Sequence, residues 1–583
     1  MSSQKTRAIV AAPSKEELLA AEKAARLDKA MGALCEKEAA LYRLVFAAQG
    51  RGAWKAADEL AKKITDQRLM GAVLADRFEK RGASGLELAA WLQAYATLPQ
   101  ADDFYAKAKK DGMTSLTRPQ STDAWSDEGE IDGAANFAPD LMVKNTAANS
   151  QTNSLARAIQ RTLRKGDPWA ARNLLLEAQN QKKLEGTFAH DAQAVIGAAF
   201  FRVGERDQAM ALTGAAAGAN QPLGLWIRGL IAWEKNDAPM ARMMFSRLAE
   251  HPALNEGNRA AAHFWAYRAE KAQGSGTEAR RHLEEAARVP RSFYGLLAGQ
   301  LLGRSPVAIL SKDEAPSVWD ATARSILLKY QAGWRALALV QVGQLALAEG
   351  ELRRLNPQND PDKQQAMMAL ARYVPMPALA LKLAHLSREN GFDLALYPLL
   401  PWQPKEGYQV DRALMFALAR HESLFDPMAM SARGAQGLMQ IMPATASVMA
   451  DNEEDVRAIA HQDKLFDPAY NIELGQKYVQ HLAAMPQIGN NLILLLAAYN
   501  GGPAKAINLA SSRDGADPLL FLESMPVRET RNYVARVLPH YWAYRARLGK
   551  SLSSLKQMAE GRWPTTSLRE ETTLRVAEVV NAR

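Results

Sequence analysis

The chain has 583 residues, 48% of them hydrophobic and 23% charged, with a formal net charge of +9. That length exceeds one core at roughly 150 residues per domain, and no apolar run approaches the ~20 residues a membrane-spanning helix requires. The positive excess suits an acidic polymer, but no basic run interleaved with aromatics accompanies it, which argues against a nucleic-acid partner.

The first residues, MSSQKTRAIVAAPSKEE, lack the apolar segment of roughly 7–15 residues that marks a secretion signal. Two explanations stay open: the protein remains inside the cell, or its signal lies outside this sequence. Cys35 is the single cysteine, so an internal disulfide and a multi-cysteine metal site are excluded, and a buried or idle thiol is expected.

From about Glu16 to Lys110, and again from Leu155 to Asn390, Ala, Leu, Arg and Glu dominate, with apolar residues at helical spacing. Short turn signals punctuate these runs: Gly50-Arg51-Gly52, Gly166-Asp167-Pro168 and Lys235-Asn236-Asp237. This rhythm predicts helical hairpins stacked into a solenoid or superhelical ring, because one hairpin cannot bury its apolar face alone. The expected organisation is an N-terminal helical repeat region over 1–111, then superhelix and linker helices over 154–400. Between them, 112–153 reads as a polar linker or inserted loop; its acidic run Ser126-Asp127-Glu128-Gly129-Glu130 lacks the ligand spacing of a calcium loop.

Pro398, Pro401 and Pro404 cannot continue a helix, and a new domain is predicted over 401–549, with 550–583 as a polar tail. Within that domain Arg412 to Ser423 reads as a helix whose stripe Met415, Leu418, Ala419 and Glu422 faces the core. Burial raises a carboxyl pKa and the nearby Asp426 pushes the same way, so Glu422 is expected to hold its proton near neutral pH and serve as a general acid. The plainer alternative is a glutamate reaching water from a helix end.

The residues after Glu422 bear on that choice. Glu422-Ser423 leads into Ser431-Ala432-Arg433-Gly434-Ala435-Gln436-Gly437-Leu438-Met439-Gln440-Ile441-Met442-Pro443-Ala444-Thr445-Ala446, followed by Asp467-Pro468, Asn471-Ile472, Ala498-Tyr499-Asn500-Gly501-Gly502-Pro503 and Glu529-Thr530-Arg531-Asn532-Tyr533-Val534. In order and composition these motifs closely resemble the soluble lytic transglycosylase family of the lysozyme superfamily. Upstream, Phe264 to Ala269 and Ser292 to Ala298 resemble the helical domain of the same large enzymes, as packing segments.

The resemblance implies an all-α chain in which a lysozyme-like domain follows the helical array. It implies an enzyme that cuts the β-1,4 bond between N-acetylmuramic acid and N-acetylglucosamine in peptidoglycan, leaving a 1,6-anhydro end. Glu422 would be the acid and base, Ser431, Gln440 and Met442 would line the groove, and Tyr499, Glu529 and Tyr533 would contact substrate. A tyrosine satisfied in the core remains an alternative for Tyr499, as does an ion pair of Glu529 with Arg528 or Arg531. No metal or organic cofactor is implied, the partner would be the glycan strand, and the site of action would be the periplasm. Rival readings are a goose-type lysozyme-like hydrolase and a non-catalytic peptidoglycan-binding scaffold.

Overall fold

The computed structural model describes residues 15–119, 150–181, 184, 187–304, 318–386, 394–460, 463–511 and 517–570. The acidic run 126–130 and most of the 112–153 segment lie outside the described residues. Among those described, all regular structure is helical, and β pairing is limited to four isolated bridges. None of the described helices is long and apolar enough to cross a membrane.

The chain divides into two compact units, one joining 1–131 to 313–388, the other joining 132–312 to 389–583. In the first, Gln341 explains how distant segments come together. Its buried amide accepts from the Leu34 backbone N–H at 2.9 Å and donates to the Leu34 carbonyl at 2.8 Å, clamping the turn before helix Glu36–Gly50 onto helix Gln331–Gln341. Cys35, in that turn, is exposed rather than buried.

In the second unit the hairpin chemistry repeats. Gly166 and Asn236 turn the chain with positive φ, and the next residues, Asp167 and Asp237, cap helices Pro168–Asn180 and Ala238–Ala249 through side-chain oxygens. Each cap satisfies an N–H that the first helical turn leaves without a partner. Neighbouring helices then pack through aromatic contacts, such as Trp226 edge-on to Phe245 at 5.5 Å and to Trp265 at 6.2 Å.

The C-terminal helices pack around Leu492–Gly501, apolar on every side and buried from Leu492 to Ala498. Such a helix belongs at the centre of a domain. Helices Arg412–Ser423 and Arg528–Arg547 pack against each other beside it. Residues 550–570 are built into the same body: Lys550 reaches Asp411 and Glu570, both at 2.8 Å, and helix Ser553–Ala559 packs on Phe293–Leu301.

Candidate active site

Helix Arg412–Ser423 is held at its start by a buried charge cluster. Asp411, fully buried, accepts from Ala413 N–H at 3.1 Å, Arg545 at 2.6 Å, Lys550 at 2.8 Å and the Tyr541 hydroxyl at 3.1 Å. Burial alone would raise its carboxyl pKa, but Lys550 and Arg545 outweigh burial and hold it below the usual range. A fixed N-terminus fixes where the C-terminal turn, carrying Glu422, points.

That helix stops abruptly. Leu424 is left-handed, with φ 53°, and Phe425 follows at 69°, both costly for residues with a Cβ. Ser423 accommodates the turn by donating to the Ala419 carbonyl and accepting from Phe425 N–H, each at 3.1 Å, while Phe425 is fully buried. Glu422 is thus delivered at the end of a rigid helix, half-buried, where its neighbours are side chains from other helices.

Burial raises the Glu422 carboxyl to about 7, against the hydrogen bond that Tyr533 donates to Oε1 at 2.6 Å, which works the other way. Asp426 does not contribute as anticipated: its Oδ1 accepts from Met428 N–H at 2.9 Å and forms part of the turn. Tyr533 is buried, with its ring edge-on to His421 at 4.7 Å, and burial together with the Glu422 charge pushes its phenol well above 10. It therefore remains a donor.

Tyr499 lies close enough for the Glu422 charge to add to burial in raising its phenol. Its hydroxyl donates to the Met439 carbonyl at 2.9 Å, so the tyrosine is satisfied by backbone here, and its ring meets Tyr478 at 5.4 Å. Tyr478 was not singled out from the sequence. A signal was available: Asn471, Gly475 and Tyr478 stand at i, i+4 and i+7 on helix Pro468–Ala483, one face of a helix.

The loop 427–442 folds on itself through bridges Met430 to Gln436 and Gln436 to Ile441. Ser431 Oγ accepts from Ala435 N–H at 2.9 Å, and the Gln440 amide donates to Ala429 and Gly437 carbonyls, both at 3.0 Å. Both side chains thus shape the loop, while Met442 stays exposed. Buried Asn471 locks the loop to its helix, accepting from Met439 N–H at 2.7 Å and donating to Gln436 and Leu465 carbonyls at 3.0 and 2.9 Å. Glu529 is exposed on the first turn of Arg528–Arg547, one turn before Tyr533. A half-buried carboxyl near neutral pKa, one donor on it and a rigid loop alongside can deliver a proton to a bound ligand.

Residues 401–518 match the model of the family described as Transglycosylase SLT domain. That stretch of the C-terminal domain is similar to the family's domain. Curated relatives are similar to part of the chain as well. A soluble lytic murein transglycosylase of Escherichia coli is 35% identical over 175 residues, covering 30% of this chain and 26% of the relative. One from Salmonella typhimurium is 33% identical over 273 residues, covering 45% of this chain and 40% of the relative. The chain thus spans less than half the length of these curated relatives.

The fold similarity is wider. The 70 kDa soluble lytic transglycosylase of Escherichia coli, a solved structure, aligns over 91% of this chain and 99% of its own, with TM-score 0.55 and 20% identity. The expected fold class, an all-α helical array followed by a lysozyme-like transglycosylase domain, is therefore the fold of this chain.

Proposed function

We propose that the chain is a peptidoglycan lytic transglycosylase acting through Glu422. The observation that carries this reading is the Glu422 carboxyl, raised to about 7 by burial with Tyr533 donating to it and no charged group among the causes of its shift. Ordinary glycosidases need two carboxyl groups, about 5–9.5 Å apart. A lone carboxyl must find its nucleophile elsewhere, and the substrate carries one.

In the protonated form, Glu422 gives its proton to the glycosidic oxygen after N-acetylmuramic acid, and the C1–O bond breaks. The sugar's N-acetyl group stabilises the cation. Glu422, now a carboxylate, takes the proton of the C6 hydroxyl as O6 bonds to C1, which closes the 1,6-anhydro ring and restores the acid. No water is consumed. Tyr533 holds Oε1 in place through both states, and Tyr499, Tyr478, Ser431, Gln440 and Met442 form the surroundings in which the sugar sits. Such a substrate places the enzyme at the cell wall, in the periplasm.

Mass spectrometry of products from purified sacculi tests the reading. Products ending in 1,6-anhydromuramic acid are expected. Reducing muramic ends would make the chain a lysozyme-like hydrolase, and intact strands would make it a binding scaffold.

A further inference from the structure

Tyr533 meets helix Arg412–Ser423 at two successive residues. Its hydroxyl donates to Glu422 Oε1 at 2.6 Å, and its ring lies edge-on to the His421 imidazole, with centroids 4.7 Å apart and planes at 89°. Successive side chains on a helix diverge by roughly 100°, so the two contacts hold Tyr533 from different directions. The helix itself is anchored one residue earlier. Arg420, 2% exposed, donates to the Leu396 carbonyl and lies over the Tyr397 ring at 4.9 Å.

We propose that His421 is a positioning residue for Glu422: its imidazole braces the Tyr533 ring, so that the phenol stays on Oε1 in both protonation states of the acid. The inference rests on the reading of Glu422 as acid and base. An edge-on pair favours one arrangement of its two rings, and the phenol oxygen lies on the long axis of its own ring. A held ring is therefore a held oxygen. The need for a brace is greatest in the acid form, because a phenol binds a neutral carboxyl less strongly than a carboxylate while the hydroxyls of a bound sugar compete for it. His421 does not act on Glu422 as a charge, since burial and Tyr533 are the causes of that carboxyl's shift. Of the other groups near the phenol, Tyr499 and Tyr478 stand on separate helices, and neither ring pairs with the Tyr533 ring as His421 does.

A phenol fixed on Oε1 also assigns the working proton. Oε1 is the acceptor, so the proton resides on Oε2. It passes from Oε2 to the glycosidic oxygen as the C1–O bond breaks, and the C6 hydroxyl returns one to the carboxylate as O6 bonds to C1. Without the brace, the phenol is free to leave Oε1 for the sugar, and the carboxylate that forms in the first step loses its donor.

The test uses the full chain with His421→Leu, which fills the space without a ring, and His421→Phe, which keeps a ring without an imidazole. The readout is the pH profile of kcat/KM on solubilised glycan strands. His421→Leu is expected to move the alkaline limb up by about 0.4–1 pH unit, the worth of an edge-on aromatic pair, and to lower the rate about two- to tenfold. His421→Phe is expected to keep the limb in the parent's place. In a Tyr533→Phe background, His421→Leu should move it no further. An unmoved limb in His421→Leu, equal shifts in the Leu and Phe variants, or a shift that persists without the Tyr533 hydroxyl each overturn the proposal. His421→Gln, also without a ring, takes the place of His421→Leu should thermal melts show the latter unfolded. If the parent cleaves nothing, the acid and base reading falls, and the melts still decide the brace. Between pH 5 and pH 8, where Glu422 ionises, the Leu variant should then lose more stability than the Phe variant, and equal losses overturn the proposal.

Discussion

At the residue scale, the raised pKa of Glu422 ties activity to stability. The group sits at about 7 in the fold against an ordinary 4.5, so the fold prefers the protonated form. Its contribution is complete below pH 4.5, is lost as pH rises through 7, and leaves a buried charge to be tolerated above that. Glu422→Gln removes the charge, so this variant should gain stability over the parent at pH 8, by less than about 3 kcal/mol, and gain little at pH 4. Paired thermal melts at the two values decide it; an equal effect at both would mean that burial does not govern this carboxyl. The same variant should turn over at least ~10²–10⁴ slower on sacculi, since the amide has no proton to give. Tyr533 tunes the same group. Its hydrogen bond favours the carboxylate, so Tyr533→Phe should move the alkaline limb of kcat/KM to higher pH while lowering the rate. A limb that stays in place or moves down would assign Tyr533 to the substrate instead.

At the element scale, the 427–442 loop is where glycine is decisive, and two of its glycines differ. Gly437 has φ +75°, and a Cβ there would lie 2.3 Å from the Leu465 carbonyl and 2.5 Å from Asn471 Nδ2, the clamp that holds the loop. Gly434 has φ +85° but open space around it. Gly437→Ala should therefore cost about 2–4 kcal/mol and most of the activity, against about 1–2 kcal/mol for Gly434→Ala. Urea unfolding of the two variants provides the comparison, and equal losses would mean that backbone strain alone, and not the Asn471 clamp, sets the cost. Much of this element was legible in the sequence. The helix ending at Ser423, the glycines and the order of motifs are local signals, and local signals survive without a partner. Contacts across the chain were not legible. The meeting of Tyr533 with Glu422, the Tyr499 hydroxyl on the Met439 carbonyl and the place of Tyr478 depend on how four helices pack, and Asp426 turned to its own backbone where sequence proximity alone put it beside Glu422.

At the scale of the whole molecule, the transglycosylase domain is bound into the second unit by buried polar and aromatic contacts. Tyr294 donates to buried Glu523 at 2.5 Å while accepting from Trp265 Nε1 at 2.9 Å. Arg268 pairs with Asp517, the residue that caps helix Pro518–Ser524, and Phe293 stacks on fully buried Trp542 at 5.8 Å. Tyr294 and Trp265 lie in the two upstream segments read as packing, and these contacts show what they pack against. A fragment of residues 400–550 would lose all of these, along with Glu570 from Lys550 and helix Ser553–Ala559 from the domain's flank. Each hydrogen bond to a buried charge is worth about 1.5–3 kcal/mol, and a folded domain has only about 5–15 kcal/mol in total. The fragment should therefore be unfolded or melt far below the full chain, whereas one spanning residues 150–570 should melt near it. Circular dichroism melts of the two fragments beside the full chain check this. A 400–550 fragment as stable as the whole would mean that Glu523 and Trp542 are covered from within the domain, and the helical array would then be an attachment rather than part of its core.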